Sequence, residues 1–380
     1  MDFQLSEERS AIREMAQGFA ADAIAPNALD WDRDRHFPVD VIRQACELGL
    51  GGIMVSEAHG GSGLGRMDAV LVYEALATGC PAISAYLSIH NMVAQMIDRH
   101  GSEEMKAQYL PRLCRGEILA SYCLTEPGSG SDAAALATRA ERDNEGFRLT
   151  GQKMFISGAG ETDLYVVMAR SGGPGPKGVS AFLLEKGAGG LSFGANEKKM
   201  GWNAQPTRTV AMDNVKVPAS ALLGEEGAGF RYAMEALDGG RTSIAACSLG
   251  GAQAAFDKAR SYMDERKAFG HKLNEFQALQ FALAEMATEI EVSRTFLWRA
   301  ASALDAKSPE STRLCAMAKK HVTDAGFEVA NRALQLHGGY GYLADYGVEK
   351  IVRDLRVHQI LEGTNEIMRL IIARSVIAEG

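Results

Sequence analysis

The 380-residue chain lacks most of the patterns that give a function away. It has no CxxC pair, no HExxH and no tight grouping of its eight histidines, so no metal site is expected. The six cysteines, Cys46, Cys80, Cys114, Cys123, Cys247 and Cys315, lie far apart. That spacing argues against a disulfide framework and for reduced, mostly buried thiols in an intracellular enzyme. No apolar run approaches ~18 residues, so no membrane-spanning helix is expected. No Walker A string occurs, and the GxGxxG match Gly173-Pro174-Gly175-Pro176-Lys177-Gly178 holds two prolines between two predicted strands. It cannot open a helix as a dinucleotide fingerprint must, and reads as a hairpin loop. Basic blocks of five or more are missing, and 40 Lys+Arg against 48 Asp+Glu leave a net charge of −8. Nucleic acid is therefore not an expected partner, and an anionic ligand would need local arginines or helix N-termini. The first eight residues are acidic and match neither a secretory signal nor an Arg-rich transit peptide. This points to the cytoplasm, or to the mitochondrial matrix if a targeting segment has been removed.

What is present is ordinary globular composition, 46% apolar and 23% charged, with length for two or three domains and a large core. The expected fold class is α+β, in three parts. Residues 1–119 read as a helical domain: Ser6 with Glu7 and Glu8 forms an N-cap and an acidic first turn, Ile12, Met15, Phe19 and Ala23 recur at helical spacing, and further helices are expected at 68–79 and 83–100. Residues 120–228 read as an antiparallel β domain, with strand, turn, strand over 148–157 and β-type runs at 163–169, 179–185 and 207–212. Residues 229–380 read as a helix bundle, on the stripes Leu279, Leu283, Met286, Ile290, Leu297 and Val322, Ala325, Val329, Ala333, Leu336.

Several segments suggest chemistry. From Tyr122 to Asp132 a strand runs into Pro127 and a set of small residues, so backbone N–H groups and hydroxyls can approach a flat or phosphorylated ligand. Phe155 and Ser157, two apart on a strand, share a face and can flank a planar ring. Leu334-Gln335-Leu336-His337-Gly338-Gly339-Tyr340 has more glycine than a helix cap needs. Glu362 is a lone carboxylate after two aliphatics and before Gly363; in a dry site it could act as a base toward a weakly acidic C–H. Asn365 is the expected N-cap of a last helix. Asp238 to Thr242 and Asp264 to Gly270 each set an arginine beside glycine. Taken singly, these segments are explained as well or better by surface loops, core packing, a solvated glutamate and surface ion pairs.

Together, in this order on an α-β-α chain, they resemble the acyl-CoA dehydrogenase flavoproteins over essentially the whole length. The resemblance implies FAD between the β domain and the C-terminal helices. It implies flavin contacts from Tyr122, Leu124, Thr125, Gly130 and Ser131. Phe155 and Ser157 match the aromatic against the flavin and the hydroxyl near its N5, where many members carry Trp and Thr. Arg266, Phe269, Phe276 and Gln277 match contacts to the pyrophosphate and adenine end, Gln335, Gly338 and Gly339 a glycine-rich clamp, and Thr364 and Glu366 residues just past the base. Glu362 matches the catalytic base itself. A minority subgroup carries its base on another helix, at the position of Gly240, which has no carboxylate here. Asp238 and Arg241 match substrate-site residues, and Ser131 and Gly363 line the acyl-CoA path. The implied reaction is α,β-dehydrogenation of an acyl-CoA, with an electron-transfer flavoprotein as acceptor and a homotetramer, built as a dimer of dimers, as the assembly. Segments 156–161, 172–178, 200–208 and 357–365 further resemble members acting on short branched acyl groups, with isobutyryl-CoA the expected substrate. The alternatives are a short straight-chain or 2-methyl-branched substrate, an oxidase or flavin monooxygenase on the same fold, and a non-catalytic scaffold.

Overall fold

Ser6 opens the first helix as its composition predicts: the hydroxyl accepts the Arg9 N–H at 3.3 Å, with Glu7 and Glu8 in the first turn. The structure, a computed structural model, describes residues 4–378; Met1, Asp2 and Phe3 of the acidic N-terminal segment lie outside the described residues. The N-terminal part is built from α-helices Glu7–Phe19, Ala28–Asp34, Val39–Ala45, Arg66–Gly79, Pro81–His100 and Glu103–Cys114. Proline at the first position of Pro81–His100 costs nothing, because that N–H has no intrahelical partner anyway.

The middle part is an eight-stranded sheet. Its central strand, Leu164–Arg170, pairs antiparallel with Val179–Glu185, in register from Leu164↔Glu185 to Arg170↔Val179. Both strands are almost continuously apolar because both faces are covered. Leu164, Val166 and Met168 pack toward helical residues such as Val93, Ile97 and Leu110, whereas Tyr165, Val167 and Ala169 pack into a second core with Phe147, Phe182 and Val210. Residues 173–178 form the loop between these two strands, with Arg170 donating to the carbonyls of Gly173 (2.8 Å) and Gly175 (3.0 Å).

Two details depart from the sequence reading. The sheet is not wholly antiparallel: Ala120–Cys123 runs parallel to Leu164–Arg170, which the 40-residue excursion between them permits. The expected strand, turn, strand over 148–157 is instead one strand, Gly146–Ser157, whose pairing with Thr207–Pro218 is interrupted by two bulges. At the first, Asp213 and Asn214 (φ 50°) of the partner strand lie opposite Thr150 alone; at the second, Met154 and Phe155 (φ 60°) lie opposite Thr209 alone, so what resembles a turn in sequence is a pair of bulges, one on each strand. The second bulge also breaks the alternation between Phe155 and Ser157 on which their shared face was argued.

The C-terminal part comprises helices Gly229–Glu265, Gln277–Asp305, Ser311–Leu336, Val348–Arg356 and Asn365–Ala378. Both predicted stripes bury at least in part, with Met286, Ile290, Leu297, Val322, Val329 and Ala333 fully inside. Lys267–Ala268 and His271–Lys272 form a two-residue hairpin in which Phe269 (φ 53°) and Gly270 (φ 85°) are both left-handed.

A buried polar joint ties the sheet to the bundle. Trp202 donates its N–H to Asp354 (2.6 Å) and its Nε1–H to His358 Nε2 (3.1 Å), and His358 Nδ1 lies 2.6 Å from the Ser248 hydroxyl. Burial holds His358 neutral, its pKa pushed down to about 3. Accepting from Trp202 at Nε2 leaves the proton on Nδ1, directed at Ser248.

A second buried device shapes the loop after Ala120–Cys123. Lys153 Nζ, with no solvent exposure, donates to Glu126 (2.7 Å) and to the Leu124 carbonyl (3.0 Å). Glu126 also accepts from the Ala137 (2.6 Å) and Thr138 (3.0 Å) N–H groups. Replacing Lys153 with Met leaves a buried carboxylate holding only those two N–H bonds. The expected loss is about 3 kcal/mol in urea unfolding; a loss below ~1 kcal/mol would contradict this account of the loop.

Candidate active site

Glu362 lies in the short connection between the 3₁₀ turn Val357–Gln359 and the helix Asn365–Ala378. Its φ is 55° and that of Gly363 is 89°, two consecutive left-handed residues. This backbone turns the glutamate inward, toward the helix Gly229–Glu265. A Cβ placed on Gly240 would come within 2.4 Å of Glu362 Oε2. The carboxylate therefore occupies the space that a side chain at position 240 would need.

The residue as a whole is half-buried, but Oε2 is sealed from solvent and has no hydrogen-bond partner among the described residues. Burial pushes the Glu362 pKa up to about 7, against the opposing pull of the Arg241 and Lys319 charges. The Tyr122 hydroxyl is also sealed and unpartnered, and its ionisation is suppressed by burial and by the Glu362 charge. Arg241, largely buried, donates to Asp238 at 2.5 Å, and Asp238 accepts from the Thr312 hydroxyl at 2.7 Å. The Arg241 Nε–H has no acceptor among the described residues. Unpartnered polar atoms at interior positions are uncommon. Here the carboxylate, the phenol and the guanidinium supply one acceptor, one hydroxyl and one cationic donor to a shared interior site.

Along the loop from Leu124, Met154 N–H donates to the Thr125 carbonyl (2.8 Å), and Glu126 and Ser129 exchange main-chain bonds (3.0 and 3.1 Å). The loop is thereby shaped with Gly130 and Ser131 exposed beyond it. Phe155 is 60% exposed on its strained bulge, an apolar ring held in solvent with one face available to a planar group. Ser157, next to it, is half-buried, and its carbonyl accepts from the Ser121 hydroxyl at 2.6 Å.

A separate cavity of about 540 Å³ is lined by Tyr262, Arg266, Leu273, Gln335, Gly338, Gly339 and Tyr340. Arg266 stacks over the Tyr340 ring, 5.3 Å from its centroid. Cβ atoms on Gly338 or Gly339 would meet nothing within 4 Å, so both glycines face open space. Gln277 is exposed at the start of its helix. Phe269 and Phe276 face each other edge-on, with centroids 6.4 Å apart and Phe269 94% exposed.

The fold is that of a flavoprotein dehydrogenase, and the chain belongs to the acyl-CoA dehydrogenase family. The family's N-terminal, middle and C-terminal domain models match residues 6–117, 121–215 and 227–377. The chain is 52% identical over 375 residues to the mitochondrial isobutyryl-CoA dehydrogenase of Bos taurus, covering 99% of this chain and 90% of that protein. Among solved structures, butyryl-CoA dehydrogenase from Megasphaera elsdenii is 35% identical, with a TM-score of 0.96 over 99% of this chain and 100% of that one. A chain solved in work on the electron transferring flavoprotein of Acidaminococcus fermentans is 39% identical, with a TM-score of 0.97 over the same shares. The protein is an oxidoreductase, and FAD is its cofactor. The observed features fit that group: an exposed ring at Phe155, unpartnered interior polar atoms, and a roomy glycine-lined cavity with an arginine in it.

The expected site residues therefore fall into two groups. Tyr122, Gly240, Arg241 and Glu362 converge on one interior site, and Asp238 is held there by Arg241. Leu124, Thr125, Gly130, Ser131, Phe155 and Ser157 lie on the β-domain loop and on the strand bonded to it. Arg266, Gln335, Gly338 and Gly339 share the separate cavity, with Phe269, Phe276 and Gln277 on the hairpin and helix start next to Arg266. Thr364 and Glu366 follow the glutamate, but Glu366 is exposed and bonds Arg369 at 2.9 Å.

The expectation for Asn365 is corrected. Thr364 caps the last helix, its Oγ1 accepting the Ile367 N–H at 3.3 Å. Asn365 is buried and faces inward, bonding Lys319, Thr323 and Asp324. Sequence reasoning missed Lys319 altogether. Its signal was available: extending the stripe by three residues from Val322 lands on position 319, where a lysine occupies a position expected to be apolar.

Gly240→Ala is expected to displace the Glu362 carboxylate. Flavin reduction by an acyl-CoA under anaerobic conditions should slow at least ~10-fold with FAD content unchanged; wild-type reduction by this variant would contradict the close packing of the two positions.

Proposed function

We propose that the protein dehydrogenates short branched-chain acyl-CoA thioesters, converting isobutyryl-CoA to methacrylyl-CoA, with Glu362 as the base that removes the α proton. The observation that carries this reading is the sealed Glu362 carboxylate against Gly240, with a pKa raised to about 7. An α C–H of a thioester is a weak acid, and a base titrating near neutrality is both ionised and basic enough to attack it. Arg241 and Lys319 keep the carboxylate from being protonated outright. Water is excluded by the same packing that desolvates Oε2, which keeps the base poised. Gly363 supplies the left-handed turn (φ 89°) after the base, where a Cβ would meet Met368 Cε at 2.7 Å, and the Glu362 N–H is the proposed donor to the carbonyl on which enolate charge develops. FAD, when bound, accepts the hydride that leaves the substrate's β carbon. Tyr122, Leu124, Thr125, Gly130, Ser131, Phe155 and Ser157 are the proposed flavin contacts, and Asp238, Arg241, Ser131 and Gly363 the proposed contacts to the acyl-CoA.

The identity to the bovine isobutyryl-CoA dehydrogenase supports the substrate. The structural likeness to the chain from the Acidaminococcus work supports an electron-transfer flavoprotein as acceptor. A homotetramer, as a dimer of dimers, is supported by the surface: Phe269 is 94% and Tyr342 82% exposed, beside a cavity whose glycines face open space. In that assembly Arg266, Phe269, Phe276, Gln277, Gln335, Gly338 and Gly339 would serve the adenine and pyrophosphate end of FAD. No described helix is long and apolar enough to cross a membrane; the bacterial cytoplasm or the mitochondrial matrix is the compartment this reading expects.

The test is an anaerobic titration of flavin absorbance with isobutyryl-, 2-methylbutyryl-, butyryl- and octanoyl-CoA. Isobutyryl-CoA should bleach the flavin with the highest kcat/KM, without oxygen uptake in the aerobic control. kcat/KM should fall about tenfold per pH unit below about 7, as Glu362 takes up its proton. Glu362→Gln should keep FAD and lose bleaching by ~10³-fold or more. Ordinary turnover by that variant sinks the base assignment, and a preference for octanoyl-CoA sinks the substrate.

A further inference from the structure

The helix Ser311–Leu336 runs behind the turn that carries Glu362, and it presents to that turn a lysine with no solvent exposure. Lys319 Nζ donates to the Gly363 carbonyl at 2.8 Å and to Asn365 Oδ1 at 2.9 Å. Asn365 Nδ2 returns to the same helix, donating to Thr323 Oγ1 (3.0 Å) and Asp324 Oδ1 (2.7 Å). Thr323 Oγ1 in turn donates to the Lys319 carbonyl at 2.8 Å. These bonds bracket residues 363–365, immediately after the glutamate.

The bracketed backbone is not relaxed. A left-handed φ at Glu362 costs on the order of 1 kcal/mol and persists only where its surroundings fix it. A buried ammonium is itself expensive: burial pushes the Lys319 pKa down to about 7 against the pull of the Glu362 and Asp324 charges, and both acceptors that Lys319 holds are neutral oxygens. The charges around Lys319 are Glu362, Asp324, Glu366 and Arg241, of which Asp324 is also bonded to Asn365. Those acting on Glu362 are Arg241 from the helix Gly229–Glu265 and Lys319 from behind, with the neutral Tyr122 phenol on the sheet side. A neutral donor could hold the Gly363 carbonyl equally well. What only a cation adds is a field that favours the ionised carboxylate next door.

We infer that Lys319 is a positioning residue for the base: its ammonium fixes the Glu362–Gly363 turn through the Gly363 carbonyl, and its charge keeps the Glu362 carboxylate available for proton abstraction. The inference rests on the reading of Glu362 as that base.

Acetyl-CoA separates the two claims, because it has α hydrogens but no β carbon from which hydride can leave. Exchange of its methyl hydrogens into D2O, followed by NMR on the FAD-loaded enzyme, reads proton abstraction alone. Wild-type exchange that is absent, or unchanged in Glu362→Gln, overturns the base reading and this inference together. With exchange established in the wild type, Lys319→Met should slow it at least ~10-fold per bound FAD, leave the KM for isobutyryl-CoA within about twofold, and move the pH limb upward by about half a unit or more. Lys319→Arg keeps the charge, so its limb should return to the wild-type position while the rate stays below wild type. A Met variant with wild-type exchange and an unmoved limb overturns the inference. If the Met variant fails to retain FAD, the Arg variant decides: reduced exchange with an unmoved limb supports the inference, and a wild-type rate overturns it.

Discussion

The site depends on one packing constraint: a carboxylate occupies the space beside a glycine in the middle of a 37-residue helix. Gly240 has no Cβ, so Glu362 can lie against the helix with Oε2 shut off from water. Raising its pKa from 4.5 to about 7 corresponds to on the order of 3 kcal/mol of lost stabilisation of the charged form. Between those values the folded protein holds the proton more tightly than the unfolded chain does. Glu362 therefore lowers stability as pH rises through that window, opposite in sign to a paired surface carboxylate. A group kept at that expense, unpartnered and aimed inward, is better explained by chemistry than by folding.

The surroundings hold the carboxylate there by gripping the chain on both sides of it. Upstream, His358 is fixed by Trp202 and Ser248, and Asp354 by the Trp202 N–H, so the sheet and the bundle are joined four residues before the glutamate. Downstream, Lys319, Thr323 and Asp324 take hold of Gly363 and Asn365. The left-handed pair at residues 362 and 363 is confined between these two anchorages, each built from hydrogen-bonded buried polar groups. The β-domain loop is shaped in the same way, by Lys153 and Glu126 beneath it. Burial of these polar groups thus converts sequence-distant segments into one interior site.

The sequence carried the helical stripes, the Ser6 cap, the Val179–Glu185 strand, the 173–178 loop and the glycine after Leu336, because each is a local pattern with its own physical cause. It carried Glu362 as a candidate only through company: in isolation a glutamate before glycine looks solvated. The bulges at Asn214 and Phe155 were hidden, since a bulge and a turn both break the alternation, and only the partner strand distinguishes them. The parallel pairing of Ala120–Cys123 depends on a strand 40 residues later. Asn365 was misread because a helix-start Asn is ordinarily a cap; its inward rotamer exists only because Lys319 and Asp324 lie opposite, on a helix 40 residues earlier. The close approach of Glu362 to Gly240 is of the same kind, a contact over 122 positions with no local signature.

The most direct measurement is the titration of the Glu362 carboxyl itself in the FAD-bound enzyme. Carbon-13 NMR of glutamate side chains, with Glu362→Gln used to identify the resonance, reads it without any turnover. A midpoint near 7 is the predicted result. A midpoint in the ordinary carboxylate range near 4.5 would mean that residue 362 is solvated, and would contradict the account.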